Sequence, residues 1–366
     1  MATVAEPTLN FTTLPHPAPA PADVRSAVLA NPGFGTNFSD HMVSIDWTEG
    51  QGWHDATVGP RQPIALDPAA AVLHYAQEIF EGLKAYVQAD GGIALFRPEA
   101  NAARFNASAR RLAMPELPEA LFIAAVKQLV AADRNWFPTV EGGSLYLRPF
   151  MIATEAFLGV RPAKQYKFLV IASPAGNYFK SGAPAVSIWV SQYTRAAPGG
   201  TGAAKCGGNY AASLVPQSEA MARGHDQVVF LDAAEHKWIE ELGGMNLYFV
   251  MNDGTLITPP LTGTILPGIT RDSIMQLARE EGLTVSEERY SLDQWKADAE
   301  SGKLVETFAC GTAAVVTPVG KVCGGASGDF TIGSGGPGQL TGKLKQRLVS
   351  IQRGEVADSH GWVMKL

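Results

Sequence analysis

Short β-branched and aromatic runs stand on both sides of one turn-rich connector, and no other feature limits the possible folds so strongly. "SLYLRPFMIAT" (144–154) and "KFLVIASP" (167–174) precede "AGNYFKSGAP"; "VSIWVSQ" (186–192), "QVVFLD", "NLYFVMN" and "TLITPP" follow it. Each run has strand length and is bounded by Gly, Pro or Ser. The turn formers of the connector read as a link between domains. Ahead of these strands, "PEANAARFNASARRL" (98–112) and "PEALFIAAVKQLVAADRNW" (118–136) start on proline and an acid and then space apolar residues by three and four, which predicts helices. "TRDSIMQLAREEG" predicts another, with Thr270 as N-cap and Gly282 as stop. The class is mixed α and β. With 366 residues the chain has material for two cores. The expected division is a flexible arm at 1–30, a small α/β domain at 31–178, a linker at 179–189 and a larger domain at 190–366. The arm is rich in proline and alanine, and its weak periodicity suggests either flexibility or a segment that wraps a neighbouring surface, and predicts no helix.

Composition removes several classes of function. The net charge is −6, and lysine and arginine form no basic block, so neither nucleic acid nor an anionic membrane is an expected partner. The longest apolar stretch, "ALFIAAVKQLVAA", is broken by Lys127 and is too short to span a bilayer. The N-terminal residues lack the basic start and continuous apolar run of a secretory signal, which makes the cytoplasm the default. Cys206, Cys310 and Cys323 include no CxxC pair, so reduced thiols and no metal site are expected. The phosphate-loop templates fail as well. "GPGQLTGKLK" has Pro337 in place of the first glycine and Leu344 after Lys343, and "GGTGAAKCGG" lacks the third glycine of a dinucleotide fingerprint.

One lysine needs explanation. In "GAAKCGGNYAASL" (202–214), Lys205 stands among small and apolar residues, with no other charged residue from Gly199 to Gln217. Desolvation disfavours the charged form of an amine, and a neutral amine is a nucleophile able to form a Schiff base. A pyridoxal phosphate site would need three further groups: an anion site for the phosphate, an acid for the pyridine nitrogen and a donor near the phenolic oxygen. Glu240 and Glu241 in "WIEELGGMNLYFV" supply candidate acids. "LPGITRDS" and "CGTAAVVTP" supply candidate phosphate turns, the first at a helix start.

Taken together, "HYAQEIFEGLKAY", "LFRPEANAARF", "LYLRPF", "PAGNYF", "AAKCGGNYAASL", "EELGGMNLYFV", "LPGITRD" and "CGTAAVVTPVG" occur in the order seen in branched-chain amino-acid aminotransferases. From about residue 30 onward the chain resembles the larger, mitochondrial-type and actinobacterial-type branch of that family. The resemblance implies a fold-type IV architecture: a small α/β domain, a larger barrel-like domain with helices, and pyridoxal 5'-phosphate at the domain interface. It implies a homodimer that exchanges amino groups between branched-chain L-amino acids and 2-oxoglutarate or glutamate. D-amino-acid aminotransferases and aminodeoxychorismate lyases are the nearest alternatives, and "FEGLKAY" with "LYLRP" favours the branched-chain reading.

Carried over by position, the resemblance makes Lys205 the Schiff-base lysine and proton shuttle. Glu241 becomes the partner of the pyridine nitrogen, ahead of its neighbour Glu240. Tyr210 bonds O3', and Arg104, Ile269, Thr270 and Thr312 bind phosphate. Tyr75, Phe80, Tyr146 and Tyr178 become the aromatic lining of the substrate pocket, with Arg148 near the distal carboxylate. Ala313 and Ala314 become the backbone donors for the α-carboxylate. Some animal members carry a redox CxxC in this turn. Here Ala314 and Thr317 stand in its place, so that regulation does not carry over.

Overall fold

The computed structural model describes residues 9–176 and 185–366. The chain divides into two compact units: Met1–Tyr178 with Ala204–Gly207 and Gln352–Leu366, and Phe179–Ala203 with Gly208–Ile351. Two segments therefore depart from the expected division. Residues 204–207 and the C-terminal tail count with the first unit. The expected linker 179–189 runs into a strand, Val186–Val190, because "VSIWV" alternates and is paired on both sides.

The first unit contains β1 (Thr12–Thr13), α1 (Ala22–Ala30), β2 (His41–Thr48), β3 (Gly52–Pro60), α2 (Ala71–Tyr75), β4 (Glu78–Phe80), β5 (Leu83–Val87), β6 (Ile93–Phe96), α3 (Pro98–Arg111), α4 (Glu119–Ala132), β7 (Ser144–Ala153) and β8 (Gln165–Ala175). A C-terminal strand, Val363–Lys365, pairs with β6 at the edge of the same nine-stranded sheet. The sheet order is β1-β3-β2-β8-β7-β5-β6 and then that strand, with β4 on β7.

From residue 9 the arm lies against the rest of its unit, as a wrapping segment does, and it forms a helix that its periodicity does not predict. β1 pairs with β3, and α1 forms behind Pro21, whose φ of −55° suits a helix start. Val28 and Leu29 of α1 pack against the core.

Both α3 and α4 form where the spacing predicts, and Phe105, Phe122 and Phe168 meet at centroid distances of 5.4–5.9 Å between helices and sheet. Because a strand alternates faces, Leu83, Ala85, Leu145 and Leu147 join this core. The intervening Lys84, Tyr146 and Arg148 therefore belong to the opposite face, and that register places the polar residues of the site.

The second unit contains β9 (Val186–Val190), α5 (Gly207–Ala211), α6 (Leu214–Ala222), β10 (Gln227–Leu231), β11 (Ile239–Leu242), β12 (Met245–Met251), β13 (Thr255–Thr258), α7 (Ile269–Glu280), β14 (Thr284–Glu287), α8 (Leu292–Ser301), β15 (Leu304–Gly311), β16 (Val315–Cys323), β17 (Phe330–Thr331) and α9 (Gln339–Gln352), with the tail strand numbered β18. Pairing runs β11-β10-β9-β16-β15-β12, and β12 pairs back to β11, which closes a six-stranded barrel. β13 and β14 extend from β12. Trp295, Phe249 and Tyr290 form the aromatic centre of its core. Helix α7 begins at Ile269 with Gly268 as N-cap, so Thr270 lies inside the first turn and is not the cap. Among the described residues no helix is long and apolar enough to cross a membrane. Cys206, Cys310 and Cys323 are buried and unbridged.

Candidate active site

In the first unit the small residues around Lys205 let its backbone lie against two elements at once. The Lys205 N–H donates to Ser108 Oγ on α3 (2.9 Å), and its carbonyl accepts from the Phe80 N–H on β4 (3.0 Å). Gly207 donates its N–H to the Glu78 carboxylate, and a Cβ at Gly207 would collide with that carboxylate. A larger residue behind the lysine would have to displace the Glu78 carboxylate. With its backbone held on both sides, Lys205 directs Nζ over the Phe80 ring at 4.9 Å from the centroid.

Phe80 also faces Arg148. The guanidinium carbon lies 4.8 Å from the Phe80 centroid and 5.5 Å from that of Tyr146, and Nη2 donates to the Tyr146 hydroxyl at 3.1 Å. Lys205, Phe80, Tyr146 and Arg148 therefore form one group. Burial raises the Glu78 carboxyl above its ordinary 4.5, although the Gly207 amide and the Arg148 charge oppose the shift. Tyr75 is engaged elsewhere, its hydroxyl donating to the Leu158 carbonyl. Tyr178 lies outside the described residues.

Arg104 projects from α3 toward the two-residue link between β4 and β5. Its Nε and Nη2 donate to the two oxygens of Glu81 at 2.7 and 2.8 Å, and the Glu81 side chain is fully buried. Burial alone would raise the Glu81 carboxyl. The Arg104 charge and hydrogen bond, with contributions from Lys205 and Asn101, override burial and hold it below its ordinary value.

In the second unit β11 separates the adjacent acids by alternation. Glu240 accepts from Thr264 Oγ1 (2.5 Å), and burial leaves its carboxyl above the ordinary value despite that bond. Glu241, 2% exposed, accepts the Leu266 N–H (2.6 Å) and lies 2.8 Å from Nη1 of the equally buried Arg195. Arg195 in turn sits 5.7 Å from the Tyr210 ring centroid, which brings Tyr210 and Glu241 to one guanidinium.

The same barrel corner sets the start of α7. Asn246, the register partner of Glu241, donates to the Leu266 carbonyl (3.1 Å). A Cβ at Gly268 would strike the Asn246 amide oxygen, so the glycine lets the helix start approach β12. Ile269 and Thr270 thereby sit in the first turn of α7, where backbone N–H groups favour an anion and no side chain caps the helix. Thr312, Ala313 and Ala314 form the half-buried turn between β15 and β16. Val315 closes it at a φ of 62°, which a β-branched residue rarely adopts and which persists only where the surroundings impose it.

Sequence reasoning assigned no role to Glu78, Glu81 or Arg195. The two glutamates lie within a quoted motif, "HYAQEIFEGLKAY", but a charged residue in a short segment signals solvent unless its partner is known. Arg195 lies in an aperiodic loop and carried no signal.

The amino-transferase class IV family model matches residues 78–322. The branched-chain-amino-acid aminotransferase of Mycolicibacterium smegmatis is 58% identical over 363 residues, 98% of each chain. The probable branched-chain-amino-acid aminotransferase of Streptomyces coelicolor is 59% identical over 362 residues, covering 98% of this chain and 99% of the relative. The crystal structure of the Escherichia coli branched-chain amino acid aminotransferase is similar with a TM-score of 0.74 at 30% identity, over 88% of this chain and 98% of that one. The crystal structure of the T.th. branched-chain amino acid aminotransferase with pyridoxamine 5'-phosphate aligns with a TM-score of 0.71 at 29% identity, again over 88% and 98%. The chain belongs to the class IV aminotransferases and, within them, to the branched-chain-amino-acid aminotransferase family.

Proposed function

We propose that the protein moves the amino group between leucine, isoleucine or valine and 2-oxoglutarate, with glutamate as the other amino acid, using pyridoxal 5'-phosphate. The carrying observation is the grouping of Lys205 Nζ with Phe80, Tyr146 and Arg148: an amine, apolar aromatic faces and a cation within one unit. The residues that the resemblance assigns have the chemistry the cofactor calls for, each within its own unit: in the first, an amine for the aldehyde (Lys205) and a guanidinium for the phosphate (Arg104); in the second, a helix start and threonine turn for the phosphate (Ile269, Thr270, Thr312), a phenol for O3' (Tyr210) and a buried carboxylate for the ring nitrogen (Glu241). When bound, pyridoxal phosphate supplies an electron sink for charge developing at the substrate's α-carbon.

The chain's own residues do the rest. Lys205 Nζ removes and returns the proton at the α-carbon. Glu241 holds a proton at the ring nitrogen, with Arg195 Nη1 2.8 Å from its carboxylate. Phe80 and Tyr146 provide the apolar faces that a branched side chain requires, and the resemblance assigns Tyr75 and Tyr178 to the same lining. Arg148 meets the distal carboxylate of 2-oxoglutarate or glutamate. It is held by ring faces and one hydroxyl, an arrangement that lets one pocket take both kinds of substrate. The N–H groups of Ala313 and Ala314 receive the α-carboxylate. A cytoplasmic homodimer belongs to the same reading.

The test is the half-reaction. Protein loaded with pyridoxal phosphate is mixed with single L- and D-amino acids and the visible absorbance followed. L-leucine, L-isoleucine, L-valine and L-glutamate should convert the chromophore, and borohydride should fix the cofactor on Lys205. Conversion by D-amino acids alone, or label on another lysine, overturns the reading.

A further inference from the structure

Glu81 is the most completely buried carboxylate of the first unit's site, and it touches none of the groups assigned above to substrate. It sits in the link between β4 and β5, where its own N–H donates to the Pro149 carbonyl (2.7 Å), so the backbone beneath it is fixed to β7. Its side chain collects four donors. Oε1 takes Arg104 Nε (2.7 Å), and Oε2 takes Arg104 Nη2 (2.8 Å), Asn101 Nδ2 (2.7 Å) and the Gly82 N–H (3.1 Å). Arg104 and Asn101 are three residues apart on α3, hence on one helix face, so a single carboxylate grips both.

A carboxylate with no exposed surface is costly to bury, and replacing an ion pair by apolar residues is often neutral or stabilising. Retaining the charge here has a geometric consequence. A guanidinium is planar, and a two-point contact along its Nε–Nη2 edge fixes the plane of the whole group without relying on the flexible stem.

We propose that Glu81, with Asn101 behind it, is a positioning residue for a phosphate-bearing ligand: its two-point contact locks the plane of the Arg104 guanidinium, so that this cation meets the phosphate at a fixed angle. The inference rests on the reading of Arg104 as a phosphate-binding residue. Glu81 itself does not touch the ligand; it acts through Arg104.

The test compares two aldehydes that differ only in the phosphate. Apoprotein is titrated with pyridoxal 5'-phosphate and with pyridoxal, each followed by the visible band. The wild type should prefer the phosphate ester. Glu81→Gln keeps the shape and removes the charge, and it should weaken pyridoxal phosphate by about 10- to 100-fold, the range for charge-assisted hydrogen bonds, while changing pyridoxal by less than about threefold. In an Arg104→Leu background the same substitution should have no further selective effect, because the residue through which Glu81 acts is gone. Should Glu81→Gln fail to fold, Asn101→Ala carries the test, with a selective loss of about threefold or more.

Equal losses for both aldehydes, or an undiminished preference for the phosphate in either folded variant, overturn the inference. A wild type without any preference for the phosphate overturns instead the assignment of Arg104, and the two failures are thereby distinct.

Discussion

Each unit buries one Arg–Glu pair beside its candidate site residues, and the two pairs are built differently. Arg104 and Glu81 meet edge to edge through two hydrogen bonds, and Asn101 and Gly82 complete the acceptor capacity of the carboxylate. Arg195 and Glu241 share one close contact at 2.8 Å; the second oxygen takes the Leu266 N–H, and Arg195 Nε has no hydrogen-bond partner among the described residues. The first pair is a clamp whose product is the orientation of a guanidinium. The second sets a carboxylate against one nitrogen of a guanidinium that also neighbours a phenol ring, without a two-point clamp. Burial alone does not separate the two, since all four side chains are 9% exposed or less. The hydrogen-bond pattern does.

The largest effect should therefore appear as stability at the first pair. Glu81→Ala leaves the Arg104 charge buried without its clamp and should cost about 3–5 kcal/mol in urea unfolding, as breaking a buried pair does. Its pH signature has a definite sign. The folded carboxyl lies below 4.5, so between its folded and unfolded values the unfolded chain binds more protons, and stability is lost as pH falls through the folded value. That part of the acid limb should vanish in Glu81→Ala. A loss under about 1 kcal/mol with an unchanged acid limb would erase the distinction between the pairs.

At the second pair the diagnostic loss should fall on turnover. Glu241→Gln should lower kcat by about 10²-fold or more, as for a positioned proton-holding group, beyond any loss of stability from leaving Arg195 without its carboxylate. Glu240→Gln, on the opposite face of β11 and bonded to Thr264, should retain kcat within a few-fold. Equal losses from the two neighbours would mean that alternation along β11 does not select the acid.

Arg148 sharpens the comparison as a third guanidinium, held by aromatic faces and one hydroxyl in place of a carboxylate clamp. Arg148→Ala should weaken kcat/KM for 2-oxoglutarate more than for leucine, by about 1.5–3 kcal/mol, because only the keto acid presents a distal carboxylate. Matching losses would reduce Arg148 to a structural role.

The sequence by itself determined the class of the fold, the two helices α3 and α4, and the strands now seen as β7–β10, β12 and β13, because apolar periodicity and turn residues are local properties of the chain. It also isolated Lys205, since a lone charge among small residues is visible without any partner. The resemblance then named the remaining site residues.

Tertiary structure alone decided what those residues touch. The arm orders as β1 and α1 because β3 and the core offer it partners, which composition does not record. Helix α7 starts at Ile269, so Gly268 is its cap and Thr270 falls inside the first turn, and a Cβ at Gly268 would meet the Asn246 side chain that pairs β12 with this corner. The choice of Glu241 as the acid coupled to Arg195 and Tyr210 follows from strand register, and the grip of Glu81 on Arg104 joins residues 23 apart in the chain. Local propensity carries no information about such long-range pairings. A buried charge is tolerated only where the fold delivers its partner, so the roles of Glu81 and Arg195 become readable when the sheet and the barrel have closed.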